Sequence, residues 1–412
     1  MELKRKKSRV TSSDFTSSFS AEDSLEELQT LATSAGAVVL DKILQSRSAA
    51  DSATFLGSGK AEELLAAVQA QNANLVIFDQ ELSPSQQRNL DKMLDARVID
   101  RTQLILDIFA RRARTREGQL QVELAQLTYM LPRLTGQGIN LSGQAGGIGT
   151  KGPGETKLET DRRRIHIRIS KIGREIDAVR GSRSIQRKQR QSVPLATIAL
   201  VGYTNAGKST LFNKLTNAQV DADARMFATL DPTVRALELP SRRRVLLSDT
   251  VGFIRQLPTT VVKAFRATLE EVCEASLLIH VVDFSSPHWQ EHARHVEMVL
   301  EEIGARDTPR LLVANKVDLC PDSPTPAGSV GISAASGLGI GALRSAMDVA
   351  LTLDPLAHCR FRISSTDGAT LGLIHSGARV LSKTYHDEEI VIEAEAPESL
   401  RKRLKEYIDI TE

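Results

Sequence analysis

The sequence predicts an α/β multidomain protein organised around one domain with a mostly parallel sheet. We expect that domain at 193–356, after a small α/β domain (26–115) and an antiparallel helical hairpin (116–192), and before a small α+β domain (357–412). Three observations predict this. The chain of 412 residues is too long to form one simple hydrophobic core. Two apolar seams flank a glycine-rich stretch, and strand-like runs alternate with helical patterns after residue 193.

The composition is that of a globular protein, with 41% hydrophobic and 25% charged residues and a net charge of +2. The cysteines (Cys273, Cys320 and Cys359) lack metal or disulfide spacing. No run of about 18 apolar residues and no signal-peptide core is present. We therefore expect a cytoplasmic protein without stable membrane insertion, with residues 1–25 as a disordered tail.

The first domain contains an apolar run, Leu75–Phe78, which predicts a buried strand after a helical pattern at 61–70. The segment Gly57 to Lys60 (GSGK) lacks the first glycine of a phosphate loop at the needed spacing, so we interpret it as a turn. The region therefore contains no phosphate loop that would support ATP use.

The second segment carries two apolar seams with spacing 4, 3, 4, 3, which is typical of coiled coils. Their members are Leu120, Leu124, Leu127, Leu131 and Leu134, then Ile165, Ile169, Ile172, Ile176 and Val179. Between them, 136–154 holds eight glycines. A helix over 156–190 would be about 50 Å long, which favours a projecting arm over two ordinary amphipathic helices packed on a neighbouring core.

The second helix of this hairpin is strongly basic. Residues 162–190 contain eleven Lys or Arg against two acids, a local charge of +9. A charged helix face is usually only solvated, but this excess beside a glycine-rich loop favours a nucleic-acid backbone as partner. Aromatic side chains for base stacking are nearly absent, so we expect contacts to backbone and shape.

A phosphate-binding loop begins the large domain. Residues Gly202 to Ser209 (GYTNAGKS) fit the pattern G-x-x-x-x-G-K-[ST], after one strand-like run and before a helical pattern. Glycines let backbone N–H groups surround phosphate oxygens, and the helix N-terminus adds positive charge. We expect Lys208 to reach the outer phosphates and the Ser209 hydroxyl to bind Mg²⁺.

Two further segments complete the phosphate side. Asp249 to Gly252 (DTVG) follows an apolar run, which suits indirect magnesium binding by the aspartate and γ-phosphate sensing by the glycine. A mobile threonine that binds Mg²⁺ should lie between the two motifs, and Thr229 and Thr233 both qualify by spacing.

The purine side is predicted by Asn315 to Asp318 (NKVD) at the end of another strand-like run. The Asp318 carboxylate can accept from guanine N1–H and the exocyclic amine, a donor pair that adenine lacks. Ser333 to Ala335 (SAA) can close the base pocket with backbone contacts. The sequence therefore predicts a magnesium-dependent GTP-hydrolysing P-loop domain.

Together GYTNAGKST, FATLDPT, DTVGF and NKVD resemble the HflX family of P-loop GTPases, and the resemblance extends over roughly 28–410. It implies GTP hydrolysis coupled to the large ribosomal subunit, in splitting stalled ribosomes or in subunit assembly, with the hairpin loop reaching ribosomal RNA. It favours Thr229 as the magnesium threonine and gives catalytic roles to Lys208, Thr229 and Gly252.

The residues that we expect to hold GTP, GDP and Mg²⁺ share four motifs. They are Gly202, Tyr203, Thr204, Asn205, Ala206, Gly207, Lys208, Ser209, Thr210; Phe227, Ala228, Thr229, Leu230, Asp231; Asp249, Thr250, Val251, Gly252; and Asn315, Lys316, Val317, Asp318, Ser333, Ala334 and Ala335.

Two positions depart from the commonest GTPase pattern. Phe253 occupies the place of a water-orienting glutamine, which predicts slow intrinsic hydrolysis accelerated by a partner, unless another residue does this task. Related GTPases with asparagine at the position of Asn205 can bind K⁺ beside the phosphates, although an asparagine here can also hydrogen-bond its own loop.

The leading hypothesis is thus a monomeric GTP-driven switch on the large ribosomal subunit. The alternative is an RNA-binding module with a passive or ATP-using nucleotide domain, which Asp318→Asn would distinguish. A GTPase of tRNA modification or of a membrane process is a third hypothesis, and no transmembrane segment or modifying cysteine motif supports it.

Overall fold

The computed structural model divides the chain into two compact units, Met1–Arg101 and Thr102–Glu412. The structure describes ten ranges: 20–45, 49–134, 157–190, 196–218, 226–227, 229–230, 232–255, 266–351, 356–386 and 389–408. No helix within these ranges is long and apolar enough to cross a membrane.

The described part of the first unit contains three helices and a parallel two-stranded sheet: α1 (Ala21–Ser34), α2 (Ser58–Gln71), β1 (Leu75–Phe78), α3 (Pro84–Leu94) and β2 (Arg97–Asp100). The side chain of Ser20 accepts from the backbone N–H of Asp23 and caps α1. Helix α1 thus begins inside the predicted tail of 1–25, while residues 1–19 of that prediction lie outside the described residues.

The predicted hairpin helices are present, after a connecting helix α4 (Arg101–Arg112), as α5 (Arg116–Met130) and α6 (Lys157–Arg190). Arg116 pairs with Glu175 at 2.8 Å, and Glu123 pairs with Arg168 at 2.6 Å. The later residue of α5 pairs with the earlier residue of α6, so the two helices are antiparallel.

The seams meet through Leu120, Ile172 and Ile176, with Leu124 and Leu127 packed beside them. The first seam is shorter than predicted, because Leu131–Leu134 form a 3₁₀ turn. Pro132 lacks the N–H that a continuing α-helix needs. The glycine-rich loop, 136–154, lies outside the described residues.

A six-stranded sheet forms the centre of the second unit, in the order β4-β5-β3-β6-β7-β8. Among the strands that the structure describes in this sheet, β4 alone is antiparallel to its neighbour. The strands are β3 (Thr197–Gly202), β4 (Thr233–Glu238), β5 (Arg244–Asp249), β6 (Leu277–Asp283), β7 (Arg310–Asn315) and β8 (Val330–Gly331).

Helices cover both faces of this sheet: α7 (Lys208–Thr216), α8 (Arg266–Cys273), α9 (Trp289–Glu302) and α10 (Ile340–Ala350). Ile198 and Leu200 of β3 share a core with Phe212 of α7 and Leu343 of α10. Because side chains of a strand alternate between faces, the intervening residues of β3 face the side of α9. The predicted GTPase-type α/β sheet is therefore present.

The last domain has an antiparallel sheet in the order β10-β11-β9. Its elements are β9 (Leu356–Ser364), α11 (Gly368–Gly377), β10 (Arg379–His386), β11 (Glu389–Pro397) and α12 (Glu398–Arg403). Strands and helices are both present, as expected for a small α+β domain. Phe361, Ile374 and Ile392 are fully buried in its core.

Candidate nucleotide-binding site

The predicted phosphate loop connects β3 to α7. A Cβ on Gly202 would lie 2.2 Å from the carbonyl oxygen of Val281, so only glycine fits at the end of β3. Gly207 has φ +92° and immediately precedes the first residue of α7. A left-handed backbone is what glycine allows at low cost, and it directs the loop amides toward one centre.

Lys208 is buried, and its Nζ donates to the carbonyl oxygens of Gly202 at 3.0 Å and of Tyr203 at 2.7 Å. Burial lowers the pKa of Lys208 to about 8, and the charge of Asp249 opposes that shift. The ammonium group therefore remains mostly protonated at neutral pH and can attract phosphate.

Three side-chain oxygen atoms meet beside the lysine. Ser209 Oγ and Thr229 Oγ1 are each within 2.8 Å of Asp249 Oδ2 and lie 2.8 Å from each other. The other carboxylate oxygen, Oδ1, is buried and has no hydrogen-bond partner among the described residues. Burial raises the pKa of Asp249, against the hydrogen bond from Thr229 and the charge of Lys208. Hydroxyl and carboxylate oxygens are the ligands that Mg²⁺ prefers, so this group fits a magnesium ion.

Thr233, the other candidate, lies in β4, where its backbone is paired with Asp249. The structure brings the hydroxyl of Thr229 to the carboxylate. Of the neighbouring predicted residues, Leu230 is buried, and Ala228 and Asp231 lie outside the described residues.

The segment after Asp249 is tied to the phosphate loop by its backbone. Phe253 N donates to Gly202 O at 3.1 Å, and Thr204 N donates to Phe253 O at 2.8 Å. A Cβ on Gly252 would lie 2.9 Å from Thr204 Cγ2, so no larger residue fits without a shift. Phe253 itself is buried. Thr250 fixes the strand end through a hydrogen bond to Leu200 O, beside buried Val251.

On the purine side, Asn315 joins two loops. Its Nδ2 donates to Ala206 O at 2.8 Å, and its Oδ1 accepts from Ala334 N at 2.9 Å. Both of its polar groups are thus used within the protein. Lys316 has φ +64° and pairs with Asp283 at 2.7 Å.

Asp318 is exposed in the 3₁₀ turn Val317–Leu319, where its carboxylate can accept from a ligand. Ser333 is buried and accepts from Ser336 N at 3.2 Å, while Ala335 is exposed. The structure therefore brings NKVD and SAA together at the carboxyl ends of β7 and β8, with Asn315 as the link between them.

Two predicted residues direct their rings elsewhere. The ring of Tyr203 stacks on the ring of His292 of α9, with the ring centroids 4.1 Å apart, and its hydroxyl accepts a hydrogen bond from Arg255 N. The ring of Phe227 packs edge-on against Phe109 of α4 at 4.6 Å, with φ +57°. Only the backbone of these residues is then available to a nucleotide. Asn205 is exposed with φ +62°, and Thr210 is half-buried at the start of α7.

The sequence analysis did not identify Asp283 or Phe109. Asp283 ends an apolar strand run, which is the signal that applied to Asp249 and could have identified it. Nothing local marks Phe109 as a neighbour of the phosphate side. The sequence analysis also did not identify His280 of β6. The pKa of His280 is lowered to about 4, mainly by burial and further by the charges of Arg310 and Lys208.

Comparisons with known proteins match the chain in three consecutive parts. Residues 22–110 match the family model "GTP-binding GTPase N-terminal", 112–190 "GTP-binding GTPase Middle Region" and 197–316 "50S ribosome-binding GTPase". The GTPase HflX of Caldanaerobacter subterraneus is 44% identical over 410 residues, covering 99% of this chain and 95% of the relative. The chain belongs to the HflX family of GTPases.

The HflX protein of Escherichia coli is 50% identical over 308 residues, with 75% of this chain and 72% of the relative covered. A solved GTP-binding protein from Sulfolobus solfataricus, in complex with GDP, is 25% identical with a TM-score of 0.43, covering 80% of this chain and 96% of that one. Membership of the HflX family confirms the resemblance and the fold class that the sequence predicted, and it supports GTP hydrolysis as the activity.

Proposed function

We propose that this protein is a magnesium-dependent GTP-hydrolysing switch that acts on the large ribosomal subunit, as a cytoplasmic monomer, in ribosome splitting and rescue or in subunit assembly. The observation that carries the proposal is the convergence of Ser209, Thr229 and Asp249 within 2.8 Å beside the buried Lys208. Hydroxyl and carboxylate oxygens beside a buried ammonium group are suited to a metal-bound phosphate.

In this proposal Lys208 and the loop amides bind the phosphates, and Asp318 selects guanine. Ser209 and Thr229 are the metal ligands, and Asp249 holds both hydroxyls in place. Bound Mg²⁺ supplies positive charge that neutralises the developing charge on the phosphates. The backbone N–H of Gly252 is the γ-phosphate sensor, as Gly252 packs against Thr204 of the loop.

We also propose that hydrolysis is slow until the large subunit orders the switch segments. Phe253 is buried and carries no group that can orient a water molecule. We expect GTP turnover to rise at least tenfold with purified large subunits. Equal turnover with and without subunits would contradict this part of the proposal.

The hairpin supplies the RNA contact in our proposal. Exposed cations on α6 include Arg162, Lys171 and Arg174, whereas Arg168 is engaged with Glu123. Phosphate contacts release counterions, so binding should weaken as the salt concentration rises. The logarithm of the binding constant should fall with the logarithm of the salt concentration, with a slope of roughly 0.7–0.9 per phosphate contact.

A pelleting assay tests this contact. The triple variant Arg162→Ala, Lys171→Ala and Arg174→Ala should bind large subunits more weakly and with a smaller salt slope, with unchanged turnover in their absence. Arg379→Ala on β10 is the control, because it removes an exposed arginine outside the hairpin that pairs with Glu395. If the triple variant and Arg379→Ala weakened binding to large subunits equally, the hairpin would be excluded as the RNA contact.

The alternative function, an RNA-binding module with a passive or ATP-using nucleotide domain, predicts tight ATP binding or no nucleotide preference. Competition of ATP and GTP for the purified protein distinguishes the two hypotheses.

We further propose that K⁺ binds beside the exposed Asn205. Identical turnover in potassium and sodium buffers would contradict the potassium site.

A further inference from the structure

Thr204, the third residue of the phosphate loop, has a buried side chain that does not hold the loop together through its hydroxyl. The residue is 6% exposed, and its Oγ1 has no hydrogen-bond partner among the residues that the structure describes. Its backbone N–H is used, since it donates to Phe253 O at 2.8 Å. A buried hydroxyl without a partner costs free energy that a valine of the same shape would not.

The side chain lies where the loop meets the segment after Asp249. A Cβ on Gly252 would be 2.9 Å from Thr204 Cγ2 and 3.0 Å from Lys208 Nζ. These three residues therefore enclose one small space. Lysine in this motif reaches the outer phosphates of a nucleotide. The Thr204 side chain thus lies beside the lysine that is expected to reach the terminal phosphate, and its hydroxyl is on the same carbon atom as the methyl group that faces Gly252.

The neighbouring Phe253 cannot orient a water molecule, because its ring is apolar and its backbone N–H and carbonyl are engaged with the loop. A threonine hydroxyl donates one hydrogen bond and accepts up to two. It can accept from a water molecule while it donates to a phosphate oxygen. The chain thus supplies, from the loop, the kind of group that is absent at Phe253.

We propose that Thr204 is a catalytic residue whose hydroxyl orients the attacking water at the terminal phosphate of GTP; this rests on the proposed GTP hydrolysis. The water oxygen forms a bond to the γ-phosphorus, and the bond from that phosphorus to the bridging oxygen breaks. GDP keeps the electron pair of that bond, and the proton of the water passes to the phosphate product. Thr204 gains and loses no proton overall.

Two conservative variants separate the hydroxyl from the methyl group. Thr204→Val keeps the shape and removes the hydroxyl, while Thr204→Ser keeps the hydroxyl and removes the methyl that packs on Gly252. If the side chain only packs, Thr204→Val should behave as the unaltered protein and Thr204→Ser should be the impaired variant. The catalytic role predicts the reverse.

The test measures single-turnover GTP hydrolysis by the full chain, with large ribosomal subunits present, alongside GDP affinity and thermal unfolding. We expect Thr204→Val to lower the rate at least about tenfold, since a hydrogen bond to a charged group is lost. GDP affinity should stay within about twofold, because GDP lacks the phosphate concerned. The unfolding midpoint should be equal or higher, as the hydroxyl has no partner to lose.

A Thr204→Val protein with the unaltered rate would overturn the proposal. So would Thr204→Ser as slow as Thr204→Val, or a fall in GDP affinity that matches the fall in rate. Failure of the proposed function is separate: the unaltered protein would then hydrolyse no GTP even with large subunits, before any variant is compared, and both proposals would fall.

Discussion

Replacing Asn315 with alanine tests how the pocket is held together. The side chain is 2% exposed, and it bridges Ala206 O and Ala334 N at 2.8 and 2.9 Å. Both partner residues are also buried. Asn315→Ala leaves a buried carbonyl and a buried N–H unpaired, at about 1–3 kcal/mol each. Water entering the space recovers part of this, so we expect the free energy of unfolding to fall by about 2–4 kcal/mol.

The chain offers a convenient probe, because its single tryptophan, Trp289, lies at the start of α9 in the same domain. Urea unfolding followed by tryptophan fluorescence therefore reports the domain that holds Asn315. Affinities for GDP and GTP should fall together, since the bridge supports the loop that binds both. Asp318→Asn is the matched control, because Asp318 is exposed and its change should alter stability by less than about 0.5 kcal/mol.

An Asn315→Ala protein that unfolds at the urea concentration of the unaltered protein would refute this reasoning. Selective loss of GTP affinity with full GDP affinity would also refute it, because it would place Asn315 at the terminal phosphate instead of between the two loops.

Three further predictions follow from the site. Thr229→Ala should raise the Mg²⁺ concentration needed for GTP turnover by about tenfold, with Thr233→Ala within about twofold of the unaltered protein; the opposite ranking in a magnesium titration would favour Thr233. Asp318→Asn should shift preference from guanine toward xanthine, since an amide offers one donor and one acceptor; unchanged GTP preference in competition binding would contradict the base contact. His280 has a pKa lowered from 6.5 to about 4, so the unfolded chain alone takes up a proton between those values. Stability should therefore be full above pH 6.5 and fall by roughly 3 kcal/mol toward pH 4, and urea unfolding of His280→Leu should lose most of that slope.

The phosphate side was largely predictable because its geometry is local. Glycines at fixed spacing between a strand and a helix determine the loop backbone, so Gly202 and Gly207 could be assigned roles from sequence. The base side was predictable in position, since Asn315 and Asp318 follow a strand-like run. That both polar groups of Asn315 bind protein atoms could not be read from the motif, because its partners are more than 15 residues away in sequence.

The contacts that sequence did not predict depend on tertiary structure. Phe227 belongs to a motif that suggests ligand contact, yet its ring packs against Phe109, which is 118 residues away in the chain. The periodic pattern also overestimated the first hairpin helix, because the spacing of leucines continues through Pro132 while the helical hydrogen bonding does not. Periodicity reports which faces are apolar, and backbone donors decide where the helix ends.

The two hairpin helices differ greatly in length. Helix α5 has 15 residues and α6 has 34, so α6 is longer by about 28 Å. A rod of about 51 Å that tilts by about 10° at one end displaces its other end by about 9 Å. The carboxyl end of α6 lies only a few residues before β3, the strand that leads into the phosphate loop. A tilt of about 10° about the carboxyl end of α6 would therefore move its amino end by about 9 Å, while the end nearest to β3 would stay almost in place.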